Sequence, residues 1–256
     1  MKIIVISLID ANQRRVQIQA QLSAHNLPFT WLDAVDGRQW SDEELSQFID
    51  KKALYKNLSH KPIAGSVGCH LSHMKAYETL LSSDDEAMLI LEDDAIIDAE
   101  LPHYISALAE AMSSIDILFL CDRRENRPAI EIGKIGKNRK QVSICVKRFS
   151  NIGTTGYIIN RRAARYLLDN HKDFGIEIDC LLNRWWHHGL AVATIKPDLV
   201  KDEDAVTQIG YALEPLKRTL YQKTVKAIYD LKESYSKRKG FHHYCQTLSQ
   251  SLKQIT

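Results

Sequence analysis

The sequence predicts an α/β protein with a largely parallel central sheet. Three observations lead there. Short apolar runs rich in β-branched residues recur along the chain, segments of helical periodicity separate them, and glycines or carboxylates close several of the runs as turns do. The 256 residues suffice for one sizeable core or a core plus an appendage, and 45% hydrophobic with 26% charged residues is a globular composition.

Ile3 to Leu8 reads as a first core strand. It is shorter than the apolar part of a secretion signal and meets Asp10 before any cleavage-like site. From about Ala11 to His25, Val16, Ile18 and Leu22 recur among polar residues and predict a helix. Phe29 to Leu32 is a second strand, closing in the loop Asp33-Ala34-Val35-Asp36-Gly37. Ser41 to Lys56 is polar and helical, a flexible segment follows to Gly65 and Gly68, and a helix spans about Gly68 to Leu81 with Leu71, Met74 and Leu80 toward the core.

An acidic strand comes next, then a helix from Leu101 to Met112 and a strand from Ile115 to Leu120. Arg123 to Lys140 has no sustained period and reads as a long loop of the kind that serves as a lid or binding element. Strands at Val142 to Val146 and Ile152 to Ile159, helices at Arg161 to Leu168 and Ile178 to His187, and a last short strand at Ala191 to Ile195 complete the alternation.

The net charge of +2 is too small to argue for nucleic acid by itself. Its distribution matters more, because beyond about residue 214 Lys217, Arg218, Lys223, Lys226, Lys232, Lys237, Arg238, Lys239 and Lys253 face only Asp230 and Glu233. There Leu216, Leu220, Val225, Ile228 and Leu231 fall near a helical period, so the chain divides into residues 1–212 and a basic helical extension, 213–256. The extension would pack on the core, lie on an anionic membrane or stand solvated. No stretch approaches about 20 uninterrupted apolar residues, so no membrane span is expected. The odd number of cysteines (Cys69, Cys121, Cys145, Cys180, Cys245), without a C-x-x-C pair, argues against a disulfide framework or thiolate metal site and fits a reducing cytoplasm.

The chemistry concentrates at Leu89-Ile90-Leu91-Glu92-Asp93-Asp94-Ala95-Ile96-Ile97, where three consecutive carboxylates meet an apolar strand. Like charges at a strand end repel unless water, a basic partner or a divalent ion neutralises them, and oxygen ligands suit Mg²⁺ or Mn²⁺. If the strand continues, Glu92 and Asp94 project together and Asp93 oppositely; the plainer reading is a solvated acidic turn. Gly68-Cys69-His70-Leu71-Ser72-His73 opens a helix, where free backbone N–H groups suit an anion and His70 shares a face with His73. The alternative is a pair of histidines bonded to nearby backbone. The adjacent pairs His187-His188 and His242-His243 diverge and read as structural. Asp179 opens an apolar helix, either as a first-turn acid favoured by the dipole or as a general base; Trp185 and Trp186 beyond it either stack on a sugar or pack in the core.

Taken together, these segments resemble glycosyltransferase family 25, the bacterial lipooligosaccharide β-galactosyltransferases and their collagen-modifying relatives. The resemblance runs from Met1 to about Gly210. It rests on Val5-Ile6-Ser7-Leu8 with Arg14-Arg15, Asp33-Ala34-Val35-Asp36-Gly37, Gly68 to His73, Leu91-Glu92-Asp93-Asp94-Ala95, Gly153-Thr154-Thr155-Gly156-Tyr157-Ile158-Ile159 with Ala163, and Ile178-Asp179. It implies a GT-A-like, Rossmann-related fold, a nucleotide-sugar donor, usually UDP-galactose, a Mn²⁺ or Mg²⁺ ion, and inversion at the anomeric carbon. By position Asp94 matches the metal ligand. Glu92 would be a second ligand or a ribose contact, a role Asp93 could exchange with it. Ser7, Arg14, Ala34, Asp36, Gly68, His70, Ser72 and His73 would border the nucleotide, and Thr155 and Gly156 would lie beneath the donor sugar or acceptor. Asp179 would be the base, with Glu177 in reserve. Ser7 stands where the family often has Asn, and the stretch from Lys196 through Asp204 to Thr207-Gln208-Ile209 resembles the family's closing region only loosely.

The expectation is therefore a cytoplasmic, metal-dependent, inverting hexosyltransferase that adds β-galactose to a surface glycolipid's oligosaccharide, held at the inner membrane face by its basic tail. Acceptor recognition is expected in the Arg123 to Lys140 loop and the helix after Asp179. Rival readings are the same scaffold using UDP-glucose or a UDP-N-acetylhexosamine, a metal-dependent phosphodiesterase or nuclease whose basic tail touches nucleic acid, and a silent UDP-binding protein.

Overall fold

The computed structural model describes residues 1–122, 128–136, 141–148, 153–202 and 214–253. The expected boundary between residues 212 and 213, the Thr207-Gln208-Ile209 segment and both ends of the Arg123 to Lys140 loop lie outside them.

Three apolar runs form the parallel heart of the sheet: β1 (Lys2–Ser7) pairs with β2 (Thr30–Asp33) on one side and β3 (Ala87–Glu92) on the other. Helix α1 (Asn12–Ala24) makes the first crossover and buries Ile18 and Leu22, whereas Val16 is exposed. The return to β3 runs through α2 (Asp42–Ser46), α3 (Lys51–Asn57) and α4 (Ala64–Leu81). The polar stretch read as one helix is two because each half has its own start. A Ser41–Glu44 capping box opens α2 and the Asp50 carboxylate caps α3. Helix α4 starts a full turn before Gly68, which therefore lies inside it.

Beyond β3 come β4 (Ala95–Ile97), α5 (Leu101–Ala111), β5 (Ile117–Phe119), β6 (Ala129–Ile135), β7 (Val142–Lys147), β8 (Gly156–Asn160), α6 (Arg161–His171), α7 (Ile178–Leu182), α8 (Trp185–His188), β9 (Val192–Lys196), β10 (Val200–Asp202) and α9 (Leu220–Lys253). The large sheet has the order β2-β1-β3-β8-β5-β9-β7-β6. Strands β2, β1, β3, β5, β9 and β6 run one way, and β8 and β7 the other. The sheet is thus mixed, with β8 set antiparallel between β3 and β5.

Two strands were not expected. β6 occupies the middle of the supposed long loop, where alternating Ile130 and Ile132 accompany pairing with β7 and a bulge between Glu131 and Gly133. β10 pairs with β4 through Val200 and Ile97 and covers Gly156, whose Cβ would fall 2.8 Å from Val200 Cγ1.

The tail helix belongs to the same body. In α9, Phe241, Cys245, Leu248 and Leu252 join the main core, Tyr244 stacks on Trp185 with ring centroids 4.3 Å apart, and its hydroxyl donates to Val192 O at 2.9 Å. The first half of α9 instead exposes Leu220, Tyr221, Ile228, Leu231 and Tyr235. No helix among the described residues is long and apolar enough to cross a membrane, and no disulfide joins any of the five cysteines.

Candidate active site

Parallel pairing of β1, β2 and β3 brings their carboxyl ends, Ser7, Asp33 and Glu92, to one edge of the sheet. There a cleft of about 410 Å³ opens, lined by Ser7, Arg14, residues 34–38, the first turns of α4, Glu92 to Asp94, Gly153, Thr154 and residues 177–179. Ligand sites of open α/β sheets form at such an edge.

The three carboxylates do not alternate, because β3 stops at Glu92 and a turn carries Asp93 and Asp94 into β4. Asp93 accepts from Ser7 Oγ at 2.7 Å and pairs with Arg14 Nη1 at 3.2 Å, so all three groups are held by one another at the rim. Glu92 turns inward, accepting from Thr154 Oγ1 and facing His73 Nε2 at 3.4 Å. Asp94 lines the cleft beside them.

Behind Glu92 a buried chain of polar groups reaches into the core. His73 Nδ1 meets the Tyr157 hydroxyl at 2.7 Å, which meets the Tyr77 hydroxyl at 2.8 Å. Burial pushes both phenols above the usual tyrosine range, so they stay neutral and serve as hydrogen-bonding groups. Cys69 sits one turn before His73, and its thiol is pushed up first by burial and then by the negative charges of Glu92, Glu177 and Asp179.

On the opposite wall, Asp179 accepts from Gly153 N at 3.1 Å and from Cys180 N at 2.6 Å. Glu177 is bonded by Ser66 and lies 3.9 Å from His60 Nε2; burial raises its pKa despite the Ser66 bond, and Asp179 adds to the rise. The first turn of α4 borders the same space with Gly65 and Ser66, and its cap residue Ile63 has no side-chain oxygen to offer the leading N–H groups. At the outer lip Arg38 forks onto Asp36, which its hydrogen bonds hold at about 2, and reaches Asp10 at 2.7 Å.

The structure therefore gathers Ser7, Arg14, Ala34, Asp36, Ser72, His73, Glu92, Asp93, Asp94, Glu177 and Asp179 around one cleft. Four expected members stand elsewhere. His70 is fully buried and does not share His73's surroundings: its Nε2 lies 2.9 Å from His171 O, and it borders a separate cavity of about 370 Å³ with His171 and Arg184. Gly68 packs on backbone, since a Cβ there would lie 2.6 Å from Val35 O. Thr155 is buried beneath the cleft and Gly156 makes room for Val200, so the segment meets the cleft one residue earlier, through Gly153 and Thr154. Ser72 holds the β2 loop as well, accepting from Val35 N at 2.8 Å and donating to Gly68 O at 2.6 Å. Sequence reasoning did not single out Arg38, His60 or Ser66; Arg38 follows the Asp36-Gly37 turn, while the other two carry no local signal.

The family model described as glycosyltransferase family 25 (LPS biosynthesis protein) matches residues 1–182, more than half of the chain. The chain belongs to glycosyltransferase family 25. The family implies a nucleotide-sugar donor, and membership sets aside the nuclease and phosphodiesterase readings. Among this family 25 chain's relatives, the lipooligosaccharide biosynthesis protein lic2B of Haemophilus influenzae is 28% identical over 177 residues, 64% of this chain and 60% of that protein. The lacto-N-neotetraose biosynthesis glycosyltransferase LgtE of Neisseria gonorrhoeae is 23% identical over 252 residues, 91% of this chain and 88% of that one. A solved glycosyltransferase involved in glycosylating the major capsid of PBCV-1 aligns with 90% of this family 25 chain and 98% of its own at a TM-score of 0.40 and 9% identity.

Proposed function

We propose that this glycosyltransferase transfers a hexose, galactose from UDP-galactose, with inversion onto the oligosaccharide of a lipooligosaccharide or lipopolysaccharide, and that the cleft is its donor site. The observation that carries the reading is convergence. Segments as distant as Ser7, Asp36, Ser66, Asp94, Thr154 and Asp179 meet around one cleft at the carboxyl edge of the sheet. The names of the relatives, which speak of lipooligosaccharide and lacto-N-neotetraose biosynthesis, support the acceptor class.

The uncapped first turn of α4 offers N–H groups to a diphosphate. The acidic turn fits a hard ion, because the carboxylates of Asp94 and Glu92 border the cleft and oxygen donors suit Mn²⁺ or Mg²⁺. Such an ion would stabilise negative charge on the departing diphosphate. Ser7 and Arg14 hold Asp93 fixed beside it. Across the cleft Asp179 takes the proton from the acceptor hydroxyl; the raised pKa of Glu177 favours a second reading in which that residue is the base. The exposed apolar stripe of α9, with its lysines, supports a cytoplasmic enzyme that meets the anionic inner face of the membrane through this surface.

The test is UDP release from UDP-galactose, UDP-glucose and UDP-N-acetylhexosamines with Mn²⁺, alongside Asp94→Ala and an EDTA-treated sample. Turnover greatest with UDP-galactose and abolished by both treatments is expected. Turnover that survives EDTA and the substitution removes the metal reading, and preference for another donor renames the sugar.

A further inference from the structure

Cys69 and His73 are four residues apart on α4, so both side chains leave the same helix face, and β3 ends with Glu92 opposite them. One ligand atom from each, a sulfur, an imidazole nitrogen and a carboxylate oxygen, lies within 4.8 Å of the other two, the metal-type trio formed among the described residues. Ligand atoms around a tetrahedral Zn²⁺ stand about 3.5 Å apart, given bonds of roughly 2.0 Å to nitrogen and 2.3 Å to sulfur. Closing the trio onto an ion thus takes movements of about an ångström, within rotamer adjustment.

The surroundings are those of a ligating histidine. His73 Nδ1 has the Tyr157 hydroxyl at 2.7 Å as its partner, and with the proton on Nδ1 the Nε2 lone pair faces Glu92 and Cys69. Thr154 donates to Glu92 and fixes the carboxylate in the same way. Cys69, His73 and Glu92 all border the cleft, so an ion has an entry path and a fourth position open toward it. The sequence argued against a thiolate site because its cysteines are not paired; a site with a single sulfur, completed by the fold, leaves no such pattern.

We infer that Cys69 Sγ, His73 Nε2 and a Glu92 carboxylate oxygen form a binding site for a thiophilic divalent cation, Zn²⁺ by its chemistry, on the inner wall of the cleft. Thiolate and imidazole select Zn²⁺ over Mg²⁺ or Mn²⁺, which prefer the all-oxygen Asp94 side. Since Glu92 belongs to both, Zn²⁺ withdraws it from the donor site and inhibits transfer; this consequence rests on the proposed function, whereas the site itself does not.

The experiment is titration of the full-length protein with Co²⁺ as a spectroscopic stand-in, followed by displacement with Zn²⁺. The expected result is one equivalent of tetrahedral Co²⁺ with a thiolate-to-metal absorption band that Zn²⁺ removes, absent in Cys69→Ser and in Cys69→Ala, and retained when the exposed Cys180 becomes Ser. Absence of a thiolate band in the wild type, or a band that survives both Cys69 substitutions, overturns the site. In parallel, micromolar Zn²⁺ should lower UDP release at least tenfold in the wild type and less than twofold in Cys69→Ser. Equal inhibition of both overturns the link to catalysis while the Co²⁺ spectra still judge the site, and if no donor turns over, the donor reading fails on its own.

Discussion

Two acids two residues apart, Glu177 and Asp179, have different surroundings, and that difference decides what each can do. Both Asp179 oxygens accept backbone N–H bonds, from Gly153 and Cys180, which orient the carboxylate. Burial raises the pKa of Glu177. If Asp179 is the base, Asp179→Asn lowers kcat by about 10²–10⁴-fold, while Glu177→Gln costs much less; steady-state rates for the two variants check this, and the reverse order hands the role to Glu177. A second residue-scale prediction concerns His188, whose Nδ1 accepts from Leu190 N at 3.0 Å and whose Nε2 lies 3.4 Å from Leu182 O. Both ring nitrogens are engaged by the neutral form. Burial lowers the pKa from 6.5 to about 4, and the neighbouring His171, His187 and Arg184 push the same way despite the Leu182 bond. The folded pKa is below the unfolded one, so between pH 6.5 and 4 the unfolded chain binds more protons and stability falls as pH drops. At about 1.4 kcal/mol per unit the effect reaches at most about 3 kcal/mol. Urea melts at pH 7.5 and pH 5 should show a smaller acid loss in His188→Gln than in the wild type, and equal losses would mean that His188 is not responsible.

At the scale of elements, α4 and the β2 loop are the parts whose fit shapes the cleft. Ala in place of Gly68 improves helix propensity by roughly 1 kcal/mol, but its Cβ would meet Val35 O at 2.6 Å, and that oxygen is backbone that cannot swing aside. Overpacking costs of about 1–3 kcal/mol prevail, so Gly68→Ala should lower the melting temperature and raise KM for the donor as residues 34–37 shift; an unchanged melt would show that the loop gives way freely. The same glycine explains why the helix start was misplaced. Gly65 and Gly68 read locally as breakers, yet Gly68 is there for close approach to a strand loop that adjoins it only in the fold. Strands β1, β2, β3, β5, β7 and β8 and helices α1, α5 and α6 were legible because each carries its own apolar pattern. β10 was not, since three residues have no period and its partner β4 is distant in sequence. β6 was passed over for its glycine and charges, although Ile130, Ile132 and Ile135 marked it. In the candidate site, the acidic turn and residues 177–179 stood out by residue type and the fold sets them around the cleft; which histidine faces the cleft was not legible, because His70 and His73 differ only in what packs around α4.

For the molecule as a whole, the question is whether α9 is a brace or an anchor, and its two halves answer differently. The second half buries Phe241, Cys245, Leu248 and Leu252, and in the first half Glu233 binds Arg184 and accepts from Trp186 Nε1 at 2.7 Å. A chain ending before Leu220 therefore loses core rather than an appendage, and Phe241→Ala alone should cost about 3 kcal/mol by denaturant melt; a cost below about 1 kcal/mol would make the brace dispensable. Truncation for that reason cannot test membrane binding, because an unfolded protein also fails to bind productively. The exposed stripe can. Tyr221, Ile228, Leu231 and Tyr235 follow one another at intervals of seven, three and four residues, so they share a helix face, with Lys232 and Lys239 close by in sequence. Tyrosines beside leucine and isoleucine, edged by lysines, suit the boundary between headgroups and acyl chains. Replacing those four exposed side chains by serine should change stability by no more than about 0.5 kcal/mol each, yet it removes most of the apolar area the stripe presents. The wild type should then float with vesicles containing anionic lipid, less so as salt rises, and not with neutral ones, while the quadruple variant stays in the soluble fraction with an unchanged melt. If the variant floats as well as the wild type, the stripe is not the anchor and the lysines act alone; if neither floats, α9 is a brace throughout.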